Sequence, residues 1–220
     1  MHKEMPGDDR VAGFDGFKNL QALNLADSQL IGQLPIWLSK LRNLEIDISF
    51  NRITGSIPSW LSTLPKLFRL DLSNNLILSE FPKEFGLFPA LISPNAPRDD
   101  IYLYLPIFLI KNDALLQYNS LSNLQPKIYI SNNNLIGNIP IEICCLKQLH
   151  MLDLSHNKLS SNIPDQISEL TNLEILNQSR NPLSGDIPIY HHPQLVCISC
   201  LILVLQTIIS KEQYHQALTS

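Results

Sequence analysis

An α/β solenoid, right-handed and wound from coils of about 24 residues, is the fold class that the sequence predicts. Three observations predict it. Leu149 to Pro164 reads L-H-M-L-D-L-S-H-N-K-L-S-S-N-I-P, with leucines at 149, 152, 154 and 159 and an asparagine at 157. The last strand position of that pattern recurs as Leu25, Ile48, Leu72, Ile130, Leu154 and Gln178, at intervals of 23, 24, 58, 24 and 24 residues. The turn position keeps step as Ser28, Asn51, Asn75, Asn133, Asn157 and Asn181. The far side follows as Leu34-Pro35, Ile57-Pro58, Phe81-Pro82, Ile139-Pro140, Ile163-Pro164 and Ile187-Pro188.

Each element has a physical reason. Leu152 and Leu154 lie two apart, so on a short strand both point to one buried face. Together with Leu149, Asn157 and Leu159 they fit the leucine-rich-repeat template L-x-x-L-x-L-x-x-N-x-L. Asn157 turns inward, where its amide donates and accepts at once and satisfies the backbone of a tight bend. Ile163 and Pro164 belong to the far side of the coil, where no ladder hydrogen bond is needed from the proline nitrogen.

In chain order, residues 1–16 are polar and mixed, without the apolar run of a secretory signal, and are expected to precede the repeats. Residues 17–91 supply coils 1 to 3. The second coil is one residue short around Leu44 to Ile48, a slip expected to stay local because Asn51 and Ile53 recover the register. The 58-residue interval is one period plus 34 residues, which places an insertion at 92–126. Within it Ile101 to Ile110 is rich in β-branched, aromatic and aliphatic residues and reads as a strand or strand pair over the solenoid rim. Long insertions in repeat proteins tend to sit on the binding face. Residues 127–190 supply coils 4 to 6. The pattern is expected to stop after Pro188, leaving 191–220 as a non-repeat tail. Its apolar run, Leu195 to Ile209, is interrupted by Ser199, Gln206 and Thr207 and falls short of the roughly 20 residues of a spanning helix.

Composition excludes several functions. Apolar residues make up 45% and charged ones 16%, with a net charge of −4 and no run of lysine or arginine, so neither disorder nor nucleic-acid binding is expected. No cofactor or metal site is expected. Cys197-Ile198-Ser199-Cys200 with His191 and His192 lacks a second C-x-x-C pair. Cys144-Cys145 is expected at exposed positions on the convex side, and cysteine usage leaves the redox state of all four thiols open. Asp47, Asp71 and Asp153, with Asn24, Tyr129 and Asn177, form one row of the concave face and are expected to support strands rather than to catalyse. Gln178 occupies a buried leucine position, which weakens the sixth coil, and Asn177-Gln178-Ser179 is the one glycosylation sequon, not expected to be used.

Three coils, an insertion ending in Leu115-Leu116-Gln117-Tyr118-Asn119, and further coils of the L-x-G-x-I-P kind resemble a plant receptor-kinase ectodomain. Within that group the sequence is similar to the receptors of tyrosine-sulfated peptides, the phytosulfokine and sulfated-glycopeptide receptors, whose insertion is called the island domain. The resemblance implies recognition of a sulfated peptide at the cell surface, with a co-receptor kinase as a further partner. It implies that an extended ligand pairs with an island strand, here Tyr102 to Lys111, and lies against the coils. A sulfate asks for arginine, lysine or backbone amides. The ligand-binding candidates are Arg69, Arg98, Tyr102, Tyr104, Phe108, Lys111, Lys127 and Tyr129. No Gly-rich loop or H-R-D segment is present, so no kinase activity is expected and the chain is not an enzyme. The alternatives are a protein-binding repeat module of the inhibitor or resistance-protein kind, and a non-functional gene fragment.

Overall fold

The computed structural model describes residues 3–5, 20–41, 45–93, 102–111, 114–120, 124–185 and 196–197; three of its strands, at 102–111, 114–120 and 196–197, are described by their backbone alone. Strand β1 is Lys3–Glu4. Coil 1 supplies β2 (Ala22–Asn24) and β3 (Leu30–Gly32), coil 2 β4 (Glu45–Asp47) and β5 (Arg52–Ile53), and coil 3 β6 (Arg69–Asp71). The insertion holds β7 (Tyr102–Lys111) and β8 (Ala114–Ser120). Coil 4 supplies β9 (Lys127–Tyr129) and β10 (Ile136–Gly137). Coil 5 holds β11 (Met151–Asp153), β12 (Lys158–Leu159) and β13 (Ser161–Asn162), coil 6 holds β14 (Ile175–Asn177) and β15 (Leu183–Ser184), and β16 is Val196–Cys197.

One strand per coil joins a parallel seven-stranded main sheet in the order β16-β14-β11-β9-β6-β4-β2. The leucine row predicted from the spacing is its buried side: Ile46, Leu70, Ile128, Leu152 and Leu176 are each no more than 1% exposed. Leu23, in the first coil, is only partly buried, because no described coil covers its outer side. The short second coil keeps register, with Glu45 opposite Arg69 and Asp47 opposite Asp71. The insertion leaves the stack unbroken: β6 pairs directly with β9, Arg69 opposite Lys127, across the 58-residue interval. On the opposite side of that junction Gly86 lies so close to the Glu142 carbonyl that a Cβ would collide with it.

The proline of each Ile-Pro step has a more active part than mere tolerance. Pro35, Pro58, Pro82, Pro140 and Pro164 each stand immediately before a 3-10 turn, at Ile36–Lys40, Ser59–Thr63, Lys83–Leu87, Ile141–Cys145 and Asp165–Glu169. Their fixed φ, from −59° to −78°, sets the entry to the turn. Next to them runs a second, lateral set of short parallel strands: β1-β3-β5, β10-β12 and β13-β15.

Three expectations are corrected. Residues 3–5 are part of the fold: Lys3 and Glu4 pair with Leu30 and Ile31, and Met5 enters the core at 7% exposure. The main sheet continues past Pro188, since Val196 and Cys197 pair with Ile175 and Leu176. Cys144 is buried rather than exposed, and burial pushes its thiol up to about 11; Cys145 alone of the pair faces solvent. His191, His192 and Cys200 lie outside the described residues.

Candidate functional site

In coils 2 to 6 the turn after the main-sheet strand is closed by its asparagine. Asn157 Nδ2 donates to the carbonyls of Ile130, Leu154 and Ser155 at 3.0, 3.1 and 3.2 Å, while its Oδ1 accepts from Leu135 N–H at 3.0 Å. Asn75, Asn133 and Asn181 repeat the arrangement, each bonding its own turn and the coil before it. The residue preceding each of them is left-handed: Asn74, Asn132, His156 and Arg180 have φ between 53° and 55°. The amide thus offsets the desolvation of a bend that no regular ladder serves.

On the outward face of the main sheet, carboxylates hold the turns. Asp47 Oδ1 accepts from Ser49 N–H and Oγ–H at 3.0 and 2.7 Å, and Asp71 Oδ1 from Ser73 N–H and Oγ–H at 3.1 and 2.6 Å. Asp153 accepts from Ser155 N–H at 2.9 Å, and Asn24 and Asn177 do the same work for Ala26 and Ser179. These acids brace their turns, as expected of a row that supports the strands. Burial pushes the Asp71 carboxyl up, against the lowering influence of Lys127.

The candidate ligand residues divide into two groups. Arg69 is 6% exposed; its Nε bonds Glu45 Oε1 at 3.0 Å and its Nη1 donates to the Gln125 carbonyl at 2.8 Å. It clamps the returning end of the insertion to coils 2 and 3, and is not open to a ligand while that pair holds. Lys127 lies 3.6 Å from Asp71 Oδ2 and 4.6 Å from the ring centroid of Tyr129. Tyr129 is half-buried and its hydroxyl meets Met151 Sδ at 3.0 Å; burial raises its phenol pKa, with Asp153 and Asp71 adding to the effect. The second group belongs to the insertion. Tyr102, Tyr104, Phe108 and Lys111 all fall on β7, and Arg98 lies outside the described residues.

Gln125, Glu174 and His150 were not legible as partners. Gln125 Nε2 donates to Glu174 Oε2 at 3.1 Å, and His150 Nδ1 lies 2.9 Å from Glu174 Oε1. They extend the Arg69 anchor across coils 4 to 6, joining residues 24 and 49 positions apart that no local motif relates. The described strands of the insertion pair as an antiparallel hairpin. Lys111, Ile110, Leu109, Phe108 and Ile107 face Ala114, Leu115, Leu116, Gln117 and Tyr118, and the register then shifts before Tyr102 meets Ser120.

A repeated coil with an asparagine-closed turn, stacked on one parallel sheet and interrupted by an inserted hairpin, defines a leucine-rich-repeat solenoid. The chain belongs to that family: the Leucine Rich Repeat model matches residues 19–41, 44–64, 66–88, 126–146 and 148–170, leaving the insertion unmatched. It is similar to Receptor-like protein 3 of Arabidopsis thaliana, 48% identical over 158 residues, which is 70% of this chain and 21% of the relative. It is also similar to Phytosulfokine receptor 2 of the same plant, 46% identical over 52 residues, covering 23% of this chain and 5% of the relative. The chain therefore spans about a fifth of the first relative's length and far less of the second's. Among solved structures, the Arabidopsis receptor kinase HAESA, in complex with the peptide hormone IDA and the co-receptor SERK1, superposes with a TM-score of 0.54. It is 25% identical and covers 84% of this chain and 29% of that one. The matched coils are thus leucine-rich repeats, similar to those of plant receptor-like proteins and receptor-kinase ectodomains. Among the described residues no helix is long and apolar enough to cross a membrane.

Proposed function

We propose that this chain is a ligand-recognising segment of a plant cell-surface receptor, binding an extended peptide through a strand of the island hairpin and the outward face of the main sheet. The observation that carries the reading is the hairpin inserted between coils 3 and 4, whose two strands pair with each other and with no further strand among the described residues. Residues 92–126 act as the island and the flanking coils as its rigid support. The similarity to a phytosulfokine receptor and to a receptor kinase solved with a peptide hormone and a co-receptor supports a peptide ligand and a co-receptor kinase.

The ligand is a tyrosine-sulfated peptide, and its sulfate is met from the island. Arg69 and Lys127 are engaged by Glu45 and Asp71, so Lys111 and Arg98 are the cations for that anion. Calorimetric titration with phytosulfokine in its sulfated and unsulfated forms tests this. The sulfated form is expected to bind at least tenfold more tightly, and Lys111→Glu to weaken that form alone. Equal binding removes the sulfate reading; no binding of either form removes phytosulfokine-type recognition.

A further inference from the structure

We propose that the lateral face of coils 3 to 5 is a self-association surface. Its occupant is a second copy of this chain, docked about a twofold axis that runs along the lateral strands through Ile136. This surface does not depend on peptide binding by the island.

Along residues 76–80 alternate side chains turn out of the coil. Ile77 is fully buried, whereas Leu76 and Leu78 are 43% and 59% exposed. Coil 2 has Arg52 and Thr54 at these two positions, and coil 5 has Lys158 and Ser160, so coil 3 is apolar where its neighbours are polar. In coil 4 Ile136, 40% exposed, continues the apolar area. The register sets Glu80 opposite Ile136 and Ile136 opposite Lys158. Partners in a parallel pair turn their side chains to the same side, so acid, isoleucine and base stand in one outward row at steps of about 4.8 Å. Glu80 and Lys158 are both exposed. Among the described residues no ion pair or side-chain hydrogen bond engages either of them, and Ile136 keeps them a coil apart.

Two sheet faces pack with their strands close to aligned. Two kinds of twofold axis in the plane of contact achieve that. An axis across the strands sets each coil against itself, so Glu80 meets Glu80 and Lys158 meets Lys158, and like charges oppose the contact. An axis along the strands sets coil 3 against coil 5 of the other copy. Ile136 then meets its own counterpart, and Glu80 of each copy meets Lys158 of the other, so that two ion pairs close around an apolar centre. Leu78, two residues before Glu80, flanks that centre on each side. Asn138, also exposed, meets its counterpart too, and a primary amide donates to and accepts from its own kind. A twofold contact requires a self-complementary patch. The acid–isoleucine–base row is one, and the charges that complete it are the chain's own. The face is smaller than the roughly 20–30 residues a side of a standard interface, so the association is weak and depends on concentration.

The test is sedimentation equilibrium of the full chain over a concentration series reaching the millimolar range, with melting temperatures as the check on folding. The unaltered chain is expected to pass from monomer to dimer, and Ile136→Asp to stay monomeric. Glu80→Lys and Lys158→Glu each set like charges together at both ends of the contact, and each is expected to weaken dimerisation by about tenfold or more. An equimolar mixture of those two variants meets opposite charges at both ends, and is expected to recover the unaltered affinity to within about threefold. A chain that is monomeric throughout overturns the second copy as occupant. A dimer that Ile136→Asp leaves intact overturns this face. A dimer indifferent to the charge exchanges, or weakened by both and not recovered in the mixture, overturns the twofold pairing. Should Ile136→Asp fail to fold, the exchanges at the exposed Glu80 and Lys158 decide alone.

Discussion

Coil 5 and the island hairpin are both made of short strands, yet they treat their backbone in opposite ways. In coil 5 the main-sheet strand has a neighbour on each side, β9 and β14 flanking β11, and the bend that follows is closed by Asn157. Among the described residues the hairpin pairs only internally and leaves an edge on each strand. The main sheet is therefore a scaffold with little backbone left to offer, while β7 and β8 have a strand neighbour on one side only among the described residues. On the proposed function, stability and recognition are segregated along one chain, because a main-chain group already bonded to its neighbour cannot also bond a ligand.

The largest expected effect falls in the coil. Leu154 is fully buried, and Leu154→Ala should cost about 2–5 kcal/mol in urea unfolding; a loss of less than 1 kcal/mol would mean that the coil is not packed as described. Asn157→Ala comes next. It strips partners from Leu135 N–H and from the carbonyls of Ile130, Leu154 and Ser155, and a loss of about 1–3 kcal/mol is expected in the same measurement. Ser161 tests the comparison in the other sense. It has φ of +72° at the position that Gly55 and Gly137 fill with φ of +80° in their coils. Ser161→Gly should raise the melting temperature, by a stabilisation of about 1 kcal/mol; a lowered melting temperature would show that the serine side chain matters more than its backbone strain. The smallest effect belongs to the hairpin. Replacing residues 94–123 with a short polar linker should leave the melting temperature of the coils within a few degrees while abolishing peptide binding, because β6 and β9 pair without it. Collapse of the coils would break the division of labour.

Much of this fold was legible in the residues because its determinants are local or strictly periodic. The asparagine ladder, the two-apart leucines and the apolar-proline steps of the first five coils stand where their spacing placed them, while Ile187-Pro188 lies outside the described residues. The strand at 102–111 was foreseen from its β-branched and aromatic content, and its partner at 114–120 was not, since Gln117, Tyr118 and Asn119 carry no such signature. Lys3–Glu4 was missed for a similar reason: two charged residues announce no strand, and they form one only because β3 lies open beside them. Cys144 was misplaced because consecutive residues of a 3-10 turn point about 120° apart, and which one points inward depends on the turn's exact entry at Pro140.

The sequence by itself determined the coil, its period, the asparagine that closes each turn and the point at which the insertion leaves the stack. Only the tertiary structure decided which charges of the coils are already paired. Arg69 and Lys127 are cations in any reading of the chain, but stacking brings Glu45 to the first and Asp71 to the second from 24 and 56 residues away. Periodicity reports what a residue does within its own coil. Pairing between charges depends on which side chains the next coil places beside them, and that is settled when the coils meet.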